Sequence, residues 1–276
     1  MNKLSRQKQL TELIVRRLDA GAGLLSQQFA RRHEPIATRY VAIDNLLPPE
    51  IASEIFRCFP DKKAMRRLVS FREQKHTLKQ LDDVPQLLKD ITFAIQDPSV
   101  VSVVERITGL LAQRPDPSLY AGGVSLMGMG DFLNPHIDNS HDGTRRHYRT
   151  LNLLYYVTRD WQANYGGNLE LWDPSVRNSI IIPSLFNRFV IMETNRLSWH
   201  SVSPVSHNGA RCCVSNYYFS EISPEGRPYF HVTSFSARPG QPLRRVAARL
   251  DNLARNALRI IFKTGLGKDD VYRPKA

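Results

Sequence analysis

Seven short segments between Tyr120 and Ser220 constrain this chain more than anything else in it: "AGGVSLMGMG", "TLNLLYYVT", "GNLELWD", "SIIIP", "RFVIME", "HSVSPV" and "RCCVSNYYFS". Each is rich in β-branched and aromatic residues, and turn formers separate them, "YGGN" and "DPSVRN" most clearly. Strands recurring at intervals of about ten residues, punctuated by turns, predict a β-sandwich or barrel. The flanks have helical character. Leu10, Leu13, Ile14 and Leu18 recur at spacings of three and four. A short strand at "YVAID" precedes Pro48 and Pro49, which suit the first turn of a helix over Ile51–Phe59. Residues 84–113 read as helices broken at Pro98. In "PLRRVAARLDNLARNALRIIFKTG", Leu243, Val246, Leu250, Leu253, Ala257 and Ile261 form an apolar stripe. Arg244, Arg245, Arg249, Arg255 and Arg259 fall mainly between them, and Gly265 is placed to cap the end. The fold class expected is mainly β with flanking helices.

The net charge of +12 over 276 residues is uneven. Residues 1–39 carry 8 Lys/Arg against 3 Asp/Glu, residues 224–276 carry 11 against 4, and residues 40–223 are neutral. This divides the chain into a basic N-terminal helical extension (1–39), a β domain with supporting helices (40–223, core 120–223) and a basic C-terminal extension with an amphipathic helix (224–276). Basic ends suit an anionic partner, whether a membrane surface, a polyanionic surface glycan or nucleic acid, or they are solvated helix faces. The alternative for the C-terminal stripe is packing of Leu250, Leu253 and Ile261 against the barrel or a second subunit. No run of eighteen apolar residues exists, and the charged N-terminus does not read as a secretion signal. Cys58, Cys212 and Cys213 form no disulfide framework and no CxxC, as expected of buried thiols in a reducing compartment. A cytoplasmic location follows, with the inner face of a membrane as the peripheral site that the basic ends would suit.

The chemistry resides in "NPHIDNSHDG", where His136 and Asp138 stand two positions apart at a strand end. An HxD tripeptide alone is weak. His200, in "RLSWHSVSPV", lies 64 residues further on, several strands later. Two histidines and one carboxylate on one face of an octahedral ion are the ligand set of non-haem Fe(II) oxygenases, with three positions left open for a chelating cosubstrate and O₂. Arg211 opens the strand "RCCVSNYYF", and alternation places Arg211, Cys213, Ser215 and Tyr217 on one face. A planar guanidinium there suits the distal carboxylate of a 2-oxoacid. The other six histidines read as structural or exposed.

With "HIDN", "HDGTRRHYR", "LNLLYYV", "TRDW", "YGGNLELW", "NRFVIM", "WHSV" and "ARCCVSNYYF" in this order, residues 121–221 resemble the Fe(II)/2-oxoglutarate-dependent oxygenases, and within them the prolyl 4-hydroxylase group. The resemblance implies a double-stranded β-helix of the jelly-roll type. It implies iron ligands His136, Asp138 and His200, with Arg211 gripping the distal carboxylate of 2-oxoglutarate. Tyr156 would hydrogen-bond that carboxylate, and Asn139 would stand on the substrate side. The cofactors implied are Fe(II), 2-oxoglutarate and O₂, with ascorbate as an accessory reductant. The reaction implied is hydroxylation of an unactivated C–H bond, in a peptidyl proline or a small molecule, as 2-oxoglutarate is converted to succinate. The same chemistry on a membrane-associated lipid or surface glycan is the alternative, and a non-catalytic β-helix the second. "SPVSHNGAR" sets Arg211 slightly further from His200 than in the oxygen-sensing members. Nucleic acid is not the expected substrate, since the group acting on it carries a second arginine six residues after the first, and position 217 is Tyr.

Overall fold

The computed structural model describes residues 5–261 and 271–275, without the side chains of 249 and 255–261. Two helices, α1 (Arg6–Asp19) and α2 (Ala22–Ala30), lead into β1 (Tyr40–Asp44) and α3 (Pro49–Arg57). A hairpin of β2 (Arg66–Val69) and β3 (Glu73–Leu78) precedes α4 (Gln86–Ala94) and α5 (Pro98–Thr108). Then come β4 (Arg114–Pro115), β5 (Gly123–Met127), β6 (Phe132–Ile137), β7 (Tyr148–Tyr156), β8 (Leu169–Trp172), β9 (Ser179–Ile182), β10 (Arg188–Glu193), β11 (His200–Val202) and β12 (Arg211–Ser220). The chain closes with β13 (Ser234–Phe235) and α6 (Pro242–Ile261).

All strand pairings are antiparallel, in the order β1-β10-β7-β12-β5-β3-β6-β11-β8-β9. The sheet rolls into a nearly closed double-stranded β-helix. β3 bridges its halves by pairing β5 on one side and β6 on the other. Strand β7 shows how alternation builds two cores. Leu151, Leu153 and Tyr155 face the helical layer with Leu10, Ile14, Leu88, Ile91 and Val104. Leu154 and Tyr156 face the barrel interior with Leu169, Leu171, Val190, Met192 and Cys213. Both faces are covered, so this strand is buried almost from end to end.

The seven β segments read from the sequence are all strands, and Pro49 and Pro98 each begin a helix. The β2–β3 hairpin was not expected. The C-terminal helix forms, but its apolar stripe is not packed on the barrel. Leu243, Val246, Leu250 and Leu253 are 85, 55, 63 and 67% exposed. The helix instead docks by its polar side. Asn252 bonds both the N–H and the carbonyl of Phe235, at 2.9 and 2.7 Å, and Arg245 donates to the Ala237 carbonyl at 3.1 Å. Asp251 pairs with Arg72. Ala257 and Ile261, the arginines at 249, 255 and 259, and the Gly265 cap fall on side chains or residues outside those described.

Candidate metal centre and cosubstrate pocket

Strands β6 and β11 are neighbours, in a register that sets His200 directly opposite His136. Their ring centroids are 4.1 Å apart. Asp138 lies immediately beyond β6, and one ligand atom from each of the three residues lies within 4.8 Å of the others. Both imidazole Nδ1 atoms are engaged from behind: His136 with the Asn134 carbonyl at 3.0 Å, His200 with the Ser198 carbonyl at 2.9 Å. A carbonyl only accepts, so each Nδ1 carries the proton. Burial, reinforced by the neighbouring His200 ring, holds the His136 pKa well below its ordinary value, so this ring is neutral. Its bare Nε2 faces Asp138 Oδ1 at 3.7 Å, and His200 Nε2 faces Oδ2 at 3.6 Å. Those separations are too long for hydrogen bonds. Lone pairs turned on a carboxylate repel, and a cation between them removes the conflict. Burial opposes charge on Asp138, but neighbouring positive charge, Arg149 foremost, holds the carboxyl below the usual range. Its Oδ2 is buried without a hydrogen-bond partner. These donors fit a divalent ion with mixed N,O preference.

Arg149, which the sequence reading passed over, completes the cluster. Its Nη1 is 3.1 Å from Asp138 Oδ1, its Nη2 donates to Asn139 Oδ1 at 2.7 Å, and its guanidinium stacks 4.5 Å over Tyr217. Burial, then the charge of Asp138, raises the Tyr217 pKa far above its normal value. Because the Arg149 side chain is only 4% exposed, removing its carboxylate strands a buried cation. Asp138→Ala is therefore expected to destabilise the metal-free protein by about 3 kcal/mol. Asp138→Asn, which keeps an acceptor, should cost roughly half of that. Urea denaturation in the presence of a chelator reads both, and equal stability of the alanine variant and the parent would remove Arg149 from this role.

The cluster opens onto a cavity of about 360 Å³, whose wall includes Asn139, Asn152, Leu154, Leu169, Val202, Arg211, Ser215 and Tyr217. Strand β3 supplies Glu73, Lys75 and Thr77, with Lys79 just beyond it. Arg211 is 3% exposed. Its guanidinium lies 4.6 Å over the Tyr156 ring and 3.8 Å from Met127 Sδ, and no carboxylate of the described residues pairs with it. Arg211 Nε and the Tyr156 hydroxyl are both buried without hydrogen-bond partners. Burial raises the Tyr156 pKa, with the Arg211 charge opposing. A buried fork, an unpaired phenol and an adjoining cavity fit a carboxylate ligand. Thus the structure gathers His136, Asp138, His200, Asn139 and Arg211 around one cavity, with Tyr156 against the arginine. Among the described residues no other histidine joins a cluster able to hold a metal.

Fold and site together define a class: an antiparallel β-barrel holding a two-histidine, one-carboxylate cluster beside a buried arginine. Residues 122–219 match the model of the 2OG-Fe(II) oxygenase superfamily. The fold is similar to that of several solved structures. A prolyl-4-hydroxylase from Pseudomonas putida aligns at a TM-score of 0.52 and 13% identity, over 75% of this chain and 98% of that one. A prolyl 4-hydroxylase structure from Phytophthora capsici aligns at 0.52 and 15%, over 95% of this chain and 82% of that one. The non-heme alpha ketoglutarate dependent epimerase SnoN from nogalamycin biosynthesis aligns at 0.50 and 15%, over 80% and 87%. No curated protein sequence matches the chain. Among the described residues, no helix is long and apolar enough to cross a membrane.

Proposed function

We propose that this protein is an Fe(II)/2-oxoglutarate-dependent dioxygenase that hydroxylates an unactivated C–H bond of a peptide or small-molecule substrate. The observation that carries the reading is the facing of two imidazole Nε2 atoms, tautomers fixed by backbone carbonyls, onto the carboxylate of Asp138. His136, Asp138 and His200 would hold the iron. Arg211 would grip the distal carboxylate of 2-oxoglutarate, with the Tyr156 hydroxyl donating to it. Bound iron supplies the activation of O₂, coupled to decarboxylation of 2-oxoglutarate to succinate and CO₂ and to oxidation of the substrate.

The chain's own residues do the rest. The Asn134 and Ser198 carbonyls keep the rings oriented and their Nε2 lone pairs available. Arg149 keeps Asp138 ionised and holds the Asn139 side chain by its Oδ1. Leu154, Leu169 and Val202 line the cavity with apolar surface that excludes water, and Met127 packs on Arg211. The β3 wall, polar throughout, faces the space left for substrate. Among proteins of this fold, some are prolyl 4-hydroxylases and one is an epimerase, so the fold leaves the substrate open. Peptidyl proline is the first substrate to test. A purely binding role is disfavoured, because a buried guanidinium without an anion is costly to retain.

The test is spectroscopic. Anaerobic addition of Fe(II) and 2-oxoglutarate to the purified protein should produce the weak visible absorption of the iron chelate, and air should discharge it with release of succinate. A folded, metal-loaded sample with neither signal overturns the proposal.

A further inference from the structure

We propose that α6 and the neighbouring tip of the β2–β3 hairpin form a docking surface for an anionic lipid bilayer. Leu243, Val246, Leu250 and Leu253 stand 55–85% exposed along one line of the helix. They do no work in the fold, because α6 is already fastened on its other side by Arg245, Ala248, Asp251 and Asn252. The hairpin tip extends the apolar surface. Arg72 pairs with Asp251 of α6 and stacks on Phe71, which brings Phe71, 47% exposed, beside the helix; Val69, 64% exposed, precedes it. Contiguous exposed apolar side chains at helical spacing mark an interaction surface.

Charge selects the occupant. Helix α6 carries five arginines against one aspartate, and residues 224–276 as a whole carry 11 Lys/Arg against 4 Asp/Glu. Two such ends repel each other, and a four-residue stripe falls well short of the roughly 800 Å² per partner that a stable interface buries. An anionic bilayer takes both features at once: the leucines enter the headgroup boundary while the surplus positive charge of residues 224–276 is drawn to lipid phosphates. The surface reaches the cavity through β3, since Glu73, two residues beyond Phe71, lines it.

The experiment is co-sedimentation of the intact chain with phosphatidylglycerol/phosphatidylcholine vesicles and with phosphatidylcholine vesicles. Binding is expected to the anionic vesicles only and to weaken at high salt. Leu250→Asp combined with Leu253→Asp should lower the partition coefficient at least about tenfold, and Phe71→Ser about threefold, with unchanged thermal stability and metal binding. Three outcomes overturn the proposal: no sedimentation with anionic vesicles, binding that the double variant leaves intact, or a dimer of the parent chain that the double variant converts to monomer. Binding to heparin without binding to vesicles assigns the surface to a polyanion and overturns it equally. None of these outcomes bears on the oxygenase reading, which the iron chelate spectrum tests separately.

Discussion

His136→Ala and His200→Ala are each expected to abolish succinate release from 2-oxoglutarate and to weaken Mn(II) or Fe(II) binding at least about 100-fold. Altering a residue that merely orients a metal ligand costs some 10–100-fold in affinity; loss of a ligand sets the lower bound above that range. The physical reason lies in the cross-strand pair. Each histidine supplies one Nε2, the other nitrogen being tied to backbone at 3.0 or 2.9 Å, so no second nitrogen can rotate in without breaking a buried hydrogen bond. Stability separates this role from packing. In the metal-free protein the unprotonated Nε2 of His136 faces the Asp138 carboxylate at 3.7 Å, so deleting that ring relieves repulsion even as it opens a void. The metal-free His136→Ala variant should therefore melt within a few degrees of the parent. The response to metal should differ sharply: at 100 times its Kd, Mn(II) stabilises the parent by about 2.7 kcal/mol, roughly 5–10 °C in a chain of this size. Neither variant should show that rise at the same concentration. A full metal-induced shift in either one would place the ion elsewhere.

The parts of this site that were legible in the sequence are those whose residues obey a local rule. His136 and Asp138 share a side because successive extended residues alternate, and Arg211, Ser215 and Tyr217 line the cavity by the same period. Arg149 broke that rule. Counted along β7 it belongs with Leu151, Leu153 and Tyr155, which face the helices. The pairing, however, steps from Tyr218↔Leu151 to Phe219↔Arg149, so Thr150 is an extra residue that turns Arg149 inward. A bulge of this kind leaves no mark in the hydrophobic pattern. Strand β3 escaped notice for a related reason. Its inward side chains, Glu73, Lys75 and Thr77, meet a polar cavity instead of a core, so "EQKHTL" has no apolar alternation to betray it. Helix α6 shows the converse failure: its period was evident, but the side facing the barrel is the polar one, because Asn252 and Arg245 satisfy backbone groups around β13. Periodicity reveals that a face exists and leaves open what it faces.

Arg211→Ala is expected to raise the 2-oxoglutarate concentration needed for half-maximal succinate release about 100-fold, while leaving Mn(II) affinity in the absence of 2-oxoglutarate unchanged. A charge-assisted hydrogen bond contributes about 1.5–3 kcal/mol, and a two-pronged guanidinium–carboxylate pair in a buried site reaches the upper part of that range, since each 1.4 kcal/mol is tenfold. Arg211→Lys keeps the charge but loses the fork and the stacking over Tyr156, so an intermediate rise of about tenfold should follow. Tyr156→Phe removes a hydroxyl that is buried without a partner. It should therefore leave the cosubstrate-free protein as stable or slightly more so, yet still raise the 2-oxoglutarate requirement several-fold. That combination distinguishes a residue waiting for a ligand from one that holds the fold. If Arg211→Ala leaves the requirement unaltered, the distal carboxylate must be met by another cation of the cavity wall. Lys75, Lys79 and Arg149 remain, and Arg149 is already committed to Asp138 at 3.1 Å. The anchor would then lie on the β3 side, and the cosubstrate would extend toward the space assigned here to substrate.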